Sequence, residues 1–246
     1  MCLKKIKKIN TNKLMGMLFF SLLLIFGTYF FLKSDLFFLK KIVINNNKYL
    51  SNEDINNLLK LDKHKNIFSY DLQDLEEKVK ESNYVEDCEI KRKIPNKLMV
   101  NIKEKNIIGS LYNGKSYCYI DNKGKFVDEL KNIKNDDLVI FINYTLNKKT
   151  LKFNDKEDKN NLLILYNKLD EENILRQIKT IDFRKKNEIT MIGTTGLNIY
   201  LNKDKSIANN IGKLGKVLVD LQNRKELYGK VDFTYDNYVL YSPYLN

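Results

Sequence analysis

The chain has 246 residues, with 43 Lys and Arg against 31 Asp and Glu, for a formal net charge of +12. Five lysines lie in the first 13 residues, and the remaining charges of both signs are interspersed, as on an ordinary solvated surface rather than a nucleic-acid-binding patch. A single histidine, His64, argues against a His-based triad or an HExxH zinc motif, and three cysteines do not make a disulfide framework. No pair of carboxylates forms a recognisable acid–base motif. We therefore expect a non-enzymatic protein that needs no cofactor and no metal and does not bind nucleic acid.

Residues 14–32 (LMGMLFFSLLLIFGTYFFL) form an uncharged apolar stretch. As a helix they would span roughly 28 Å, close to the hydrocarbon thickness of a bilayer. The excess of lysines before the stretch predicts a cytoplasmic tail over residues 1–13 and an extracytoplasmic C-terminus. A cleaved signal peptide and a buried helix of a soluble domain are the alternatives. A signal peptide should have a shorter apolar region and end at an A-x-A-like site, whereas the only alanine is Ala208.

The segment 36–105 has the pattern of a first small domain. An alternating strand is predicted over 39–45, and Ser51 has the sequence context of a helix N-cap followed by acidic residues. A second helix follows, with apolar residues at positions 72, 75 and 79. Two strands, 85–93 and 98–104, flank Pro95, which belongs in the turn because it cannot donate to a ladder. The predicted order is β-α-α-β-β.

The segment 106–246 is richer in strands and contains two amphipathic helices, predicted at 156–169 and 207–222. Gly193 to Gly196 (GTTG) indicates a hairpin turn rather than a phosphate loop. The predicted strands cover residues 116–120, 125–127, 138–143, 178–184, 188–192, 197–201, 230–234 and 237–241, with the last two forming a closing hairpin. The fold class is therefore α+β: a transmembrane helix, then the β-α-α-β-β domain, then a mainly antiparallel β domain with two helices.

Two cysteines, Cys88 and Cys118, lie on predicted strands. They could serve as two small buried apolar residues, or pair as a disulfide outside the cytoplasm, since the sequence does not give their separation. Cys2 falls on the predicted inner side of the membrane and cannot pair with either.

The first domain resembles the POTRA domain of the FtsQ/DivIB cell-division family. Residues 84–98 (YVEDCEIKRKIPNKL) are similar to the family block "P-x-V-x-x-A-x-V-x-R-x-x-P-x-T-L", and residues 66–71 (NIFSYD) resemble its "N-hydrophobic-F-x-L-D" link. In the second domain, residues 119–124 (YIDNKG), 181–184 (IDFR) and 230–235 (KVDFTY) resemble the family's "h-I-D-x-x-G", "V-D-L-R" and "V-D-L-R-Y" strands. Thr234 stands where that closing strand has arginine.

The resemblance implies a single-span scaffold of the bacterial divisome. Such a protein would bind FtsL-like and FtsB/DivIC-like bitopic proteins outside the membrane, contact other divisome components, and regulate septal peptidoglycan synthesis at the division septum. The family's partner site lies in the closing region, so the resemblance places partner contacts on Thr234, Tyr235, Tyr238, Val239, Leu240 and Tyr241. An exposed last strand could accept a partner strand by β-augmentation, although the tyrosines could instead simply cover the sheet.

Two other classes of protein remain as alternatives. A membrane-anchored cell-wall enzyme would need a catalytic constellation, and none is recognisable in the sequence. Another POTRA-containing envelope assembly protein should end in a β-barrel of at least eight strands, which does not follow the closing hairpin.

Overall fold

A computed structural model describes residues 11–112, 116–130, 138–142, 146–147, 152–153, 156–203, 207–235 and 237–244. The chain divides into two compact units, Met1–Glu104 and Lys105–Asn246. Each unit has its own hydrophobic core.

The first unit begins with helix α1, Thr11–Leu32. Its stretch Asn12–Leu32 is long and apolar enough to cross a membrane, and none of this stretch is buried within the protein. A soluble protein would not leave so many Leu and Phe side chains in water, because each exposed apolar side chain forgoes about 1.5–3 kcal/mol of transfer free energy. The helix therefore fits a membrane anchor.

After α1, the first unit is a three-stranded sheet covered by two helices. Its elements are strand β1 (Lys41–Asn45), helices α2 (Asn52–Leu59) and α3 (Leu72–Lys80), and strands β2 (Val85–Lys93) and β3 (Lys97–Glu104). Strand β3 lies in the centre, parallel to β1 and antiparallel to β2. The predicted β-α-α-β-β order is thus present. Alternate residues of β3 and one stripe of each helix form the buried core, which includes Ile55, Leu59, Leu75, Val79, Leu98, Val100 and Ile102.

Both helices begin where the sequence indicated. The hydroxyl of Ser51 accepts a hydrogen bond from the Asp54 backbone N–H at 3.1 Å, and the Asp54 carboxylate accepts one from the Ser51 backbone N–H at 2.9 Å. This reciprocal pair is a capping box, which satisfies backbone donors that a helix N-terminus otherwise leaves free. Asp71 caps α3 in a similar way, accepting from the backbone N–H groups of residues 73 and 74.

Two charged side chains, Arg92 of the family-like block 84–98 and Glu104 at the end of β3, hold the loops of this unit. The Arg92 guanidinium donates to the carbonyl oxygens of Ile67 and Tyr70, at 2.9 and 2.6 Å, and so fixes the link before α3. The Glu104 carboxylate accepts hydrogen bonds of 2.9–3.1 Å from the consecutive backbone N–H groups of residues 48–50, which connect β1 to α2. Both side chains therefore have structural roles.

The second unit is built on one nine-stranded mixed sheet. Its strands are β4 (Ile107–Tyr112), β5 (Tyr117–Asp121), β6 (Phe126–Leu130), β7 (Val139–Ile142), β10 (Ile178–Asp182), β11 (Glu188–Gly193), β12 (Asn198–Asn202), β13 (Gly229–Asp232) and β14 (Leu240–Pro243). The order across the sheet is β14-β13-β12-β11-β10-β7-β4-β5-β6. The pairs β13–β12, β10–β7 and β7–β4 are parallel and the other pairs are antiparallel. Strands β8 (Leu146–Asn147) and β9 (Lys152–Phe153) form a separate small ribbon.

Two helices, α4 (Lys156–Glu171) and α5 (Ile207–Arg224), supply apolar faces to the core of the second unit. The buried residues at spacings of three and four, which predicted these helices, are the ones that pack: Leu162, Leu165, Leu169, Ile211, Leu214, Leu218 and Leu221. The GTTG segment connects β11 to β12, and Gly196 takes a positive φ of 91° there, as the hairpin prediction requires.

Strand β4 is not predicted by the sequence pattern. Residues 107–111 are buried, so the strand shows none of the polar alternation that marks a half-exposed strand. Gly109 interrupts its apolar run for a packing reason: a Cβ there would lie 2.4 Å from the Phe141 ring of the neighbouring strand. Only the tertiary fold brings that ring against the glycine.

The two strand cysteines do not form a disulfide. Cys88 and Cys118 are free thiols, 4% and 2% exposed, in the cores of the two different units. Burial raises the pKa of each to about 11, so both thiols are protonated at neutral pH. Of the two alternatives that the sequence left open, the small buried apolar residue is correct.

Candidate functional site

The candidate site is the end of the second unit where the chain closes the sheet. Strand β14 pairs antiparallel with β13 in the register Gly229↔Pro243 and Asp232↔Leu240, and it is the last strand at that edge among the described residues. Pro243 is tolerated there because an edge strand does not need every N–H for pairing. The structure thus presents a short strand with one unpaired side.

The closing strand begins later than the sequence predicted. The expected hairpin, with strand 237–241 around a turn at 235–236, is wrong in its bounds: β14 covers Leu240–Pro243, and a seven-residue connection, 233–239, precedes it. Residue 236 lies outside the described residues. In this connection Tyr235 stacks on Tyr238, and Val239 packs against the core. A tight turn would instead have placed residues 237–239 in a strand paired with β13.

The position of β14 depends on Gly229. This residue has φ of 154°, and a Cβ there would lie 2.5 Å from the Ser242 carbonyl oxygen and 3.0 Å from the Pro243 Cα. Both are backbone atoms of β14, so any side chain at position 229 would push the closing strand away.

Thr234 is half-buried and belongs to a polar cluster around the buried carboxylate of Asp232. Its backbone N–H and hydroxyl donate to one Asp232 oxygen, at 3.0 and 2.5 Å, and the Lys230 ammonium lies 3.0 Å from the other. Burial opposes ionisation of Asp232, but the bonds from Thr234 and Lys230 outweigh it, and the pKa of Asp232 is lowered. Thr234, at the position where the family pattern has arginine, therefore donates two hydrogen bonds to the carboxylate of Asp232, the last residue of β13.

Tyr241 and Val239 anchor the closing region to the core. Both are half-buried and pack against the hydrophobic core of the second unit. The Tyr241 hydroxyl donates to the carbonyl oxygens of Glu226 and Tyr228, at 2.9 and 3.1 Å. Burial, with a smaller contribution from Glu226, raises the pKa of Tyr241. These two residues hold the strand in place.

The other three predicted residues, Tyr235, Tyr238 and Leu240, are exposed and form what we call the closing surface. Their exposed fractions are 42%, 58% and 41%. The rings of Tyr235 and Tyr238 stack with centroids 4.7 Å apart and an interplanar angle of 18°. Aromatic side chains pre-ordered in this way lose little conformational entropy on binding and are enriched at protein interfaces.

A second aromatic pair, which the sequence pattern did not predict, lies beside the strand. Tyr228 and Tyr244 are 54% and 39% exposed, and their rings make an edge-to-face contact with centroids 5.1 Å apart. The Tyr244 hydroxyl also contacts the side chain of Asn198 in β12. The only sequence signal was the density of tyrosine near the C-terminus, since the pairing of positions 228 and 244 depends on the β13–β14 ladder.

The described residues contain no group of three or more His, Cys, Asp or Glu side chains arranged to hold a metal ion. His64 lies exposed in the polar loop between α2 and α3. The arrangement at the closing edge offers backbone hydrogen-bonding groups and aromatic surface, which is the chemistry of protein association rather than of catalysis.

The family model for the POTRA domain, FtsQ-type, matches residues 37–105, which comprise the three-stranded sheet and its helices. The cell division protein DivIB of Clostridium tetani is 32% identical over 107 residues, which are 44% of this chain and 40% of that protein. The cell division protein DivIB of Clostridium acetobutylicum is 29% identical over 115 residues, 47% of this chain and 46% of that protein. The matches thus span less than half the length of these curated relatives.

Among solved structures, the major extracytoplasmic domain of DivIB from Geobacillus stearothermophilus aligns with a TM-score of 0.34 and 11% identity, covering 49% of this chain and 97% of that one. The likeness to cell-division proteins depends instead on the domain model and the two clostridial relatives, together with the β-α-α-β-β unit that follows an apolar helix. Residues 37–105 therefore match a POTRA domain of the FtsQ type, and the chain is similar over about half its length to the bacterial cell division protein DivIB.

Proposed function

We propose that this protein is a membrane-anchored, non-enzymatic scaffold of the divisome that binds FtsL-like and FtsB/DivIC-like single-span proteins outside the membrane. The observation that carries the proposal is the closing surface beside the edge strand β14. A partner strand added to β14 would gain main-chain hydrogen bonds, and its side chains would meet Tyr238 and Leu240. The lysines before α1 support an N-terminus in the cytoplasm, which leaves the second unit and the part of the first unit that follows α1 outside.

Charge introduced on the closing surface tests partner binding. Tyr238→Glu and Leu240→Glu place a carboxylate at positions 58% and 41% exposed, so the fold should tolerate them. Val239 is unsuitable because it packs against the core. Burying an unpaired charge in an interface costs about 2–5 kcal/mol, so co-purification with the two partner proteins should fall at least about tenfold.

Val219→Glu is the matched control. Val219 is 60% exposed on α5 in the same unit, and the substitution makes the same change from an apolar side chain to a carboxylate. We expect this variant to retain partner binding within about twofold. Equal retention by all three variants would contradict the proposed binding surface.

The division role has a separate test. In cells depleted of the native protein, a fluorescent fusion should gather at the division site and restore septation. Normal division in depleted cells, with the fusion spread evenly around the membrane, would contradict the role whatever the partner-binding result.

A further inference from the structure

Outside helix α1, the first unit exposes only three large apolar side chains among residues 33–104: Leu36, Phe68 and Ile94. Their exposed fractions are 47%, 40% and 66%, and Ile94 is more exposed than any other large apolar residue described outside α1. Single exposed apolar residues need no explanation, but these three belong to segments that meet at one place.

Phe68 and Leu36 lie at the end of the membrane helix. The Asn66 side-chain amide donates to the Leu32 carbonyl oxygen at 2.7 Å, joining the loop before α3 to the last residue of α1. The Phe37 ring lies 5.3 Å from the Phe31 ring in α1 and 5.3 Å from the Phe68 ring, measured between centroids. A chain of aromatic contacts therefore runs from the span to Phe68.

Ile94 lies at the same end of the first unit, in the turn between β2 and β3. It occupies the tip between β2 and β3, and the Lys40 backbone N–H donates to the Asn96 carbonyl oxygen of this tip at 2.8 Å. The parallel register Lys41↔Lys97 aligns the starts of β1 and β3. The strand that enters the unit from α1 thus lies beside the tip that carries Ile94.

Cations are dense in the segments that meet at this end of the unit. The segments 33–41, 62–66 and 92–97 contain Lys33, Lys40, Lys41, Lys63, Lys65, Arg92, Lys93 and Lys97, against the two acids Asp35 and Asp62. Lys40, Lys41 and Lys63 line a shallow pocket of about 380 Å³. None of these three lysines makes an ion pair in the described residues. We call Leu36, Phe68, Ile94 and these three lysines the helix-end surface.

We propose that the helix-end surface docks on the anionic phospholipid surface in which α1 is embedded. The apolar stretch of α1 ends at Leu32, so the residues bonded to that end lie at headgroup depth. Apolar and aromatic side chains partition into this interfacial zone, and lysines beside them attract lipid phosphates. The POTRA unit would then be held against the bilayer instead of swinging on its anchor. This role is independent of the closing surface.

The absence of tryptophan from the chain permits a direct test. Phe68→Trp and Ile94→Trp each introduce a single reporter into the full-length protein, reconstituted in vesicles of 70% phosphatidylcholine and 30% phosphatidylglycerol. A fraction of the phosphatidylcholine carries a spin label near the headgroup, which quenches fluorescence at that depth. Tyr84→Trp is the control. Tyr84 stacks on Tyr49 just before β2, at the end of the sheet opposite Ile94. The strand β3 separates the two ends by about 23 Å.

We expect at least twofold stronger quenching at positions 68 and 94 than at position 84. Lys40→Glu, Lys41→Glu and Lys63→Glu together should halve that difference, as should 0.5 M NaCl or pure phosphatidylcholine vesicles, since salt and neutral lipid weaken charge attraction. The salt and lipid arms keep the test valid if the triple variant fails to fold. Quenching at 68 and 94 equal to that at 84 would overturn the proposal and leave this surface to a protein partner. Quenching unaffected by both salt and lipid charge would overturn the anionic recognition.

Discussion

Replacing Gly229 by alanine should release the closing strand while the rest of the second unit stays folded. The new Cβ would lie 2.5 Å from the Ser242 carbonyl oxygen and 3.0 Å from the Pro243 Cα, and the residue has φ of 154°. Both contacts are with backbone, which cannot rotate away as a side chain would. Strain at such a φ and overpacking each cost about 1–3 kcal/mol, so we expect a local destabilisation of about 2–3 kcal/mol.

Hydrogen–deuterium exchange on the full-length chain in detergent micelles measures this effect. A loss of 2–3 kcal/mol corresponds to exchange about 30- to 150-fold faster in β14, while β11 and β12 should change little. Gly212→Ala is the control because its Cβ would meet nothing closer than 3.7 Å and alanine favours the helix. Exchange in β14 within twofold of the unsubstituted protein would refute the reasoning that Gly229 sets the strand's position.

Four further predictions concern the charged and buried groups. Glu104→Ala should lower the free energy of unfolding by about 2–3 kcal/mol because it leaves three consecutive backbone N–H groups without an acceptor, and Glu104→Gln should lower it by about 1 kcal/mol. Faster amide exchange at residues 48–50 would show this loss, and unchanged exchange would contradict it. Arg92→Met should lower the free energy of unfolding by about 1–3 kcal/mol because it removes two hydrogen bonds to carbonyl oxygens, and Arg92→Lys should have an intermediate effect. Thermal unfolding measures this as a lower midpoint, and equal midpoints would contradict the role of the guanidinium. Because the pKa of Asp232 is lowered, its contribution to stability is present above its ordinary pKa, near 4, and is lost as pH falls below that value. Denaturant titrations should therefore show that Asp232→Asn loses less stability between pH 5 and 3 than the unsubstituted protein. Equal losses of stability over this range would contradict the ion pair. Cys88 and Cys118 should resist a thiol-specific disulfide reagent at pH 8 until denaturant is added, because burial raises the pKa of both; fast native labelling of either would show that its core opens.

The sequence by itself determined the elements whose signals are local. The long uncharged stretch predicted a membrane-spanning helix, and Ser51 predicted a helix start whose capping hydrogen bonds join residues only three positions apart. The spacing of apolar residues at 162, 165 and 169, and at 211, 214 and 218, similarly identified the buried faces of α4 and α5. Each of these features depends on neighbours in the chain, which the sequence lists in order.

Only the tertiary structure decided the features that join distant residues. Strand β4 is recognised by its position between two other strands, and the shift of the closing strand to Leu240–Pro243 follows from its pairing with Gly229 across the sheet. The six residues predicted as partner contacts separate into a capping residue, two anchors and three exposed side chains because exposure depends on what packs behind each one. The meeting of Phe68 and Ile94 at the end of α1 likewise required the fold, since about 60 residues of chain separate Leu32 from Ile94 and no local pattern records such a contact.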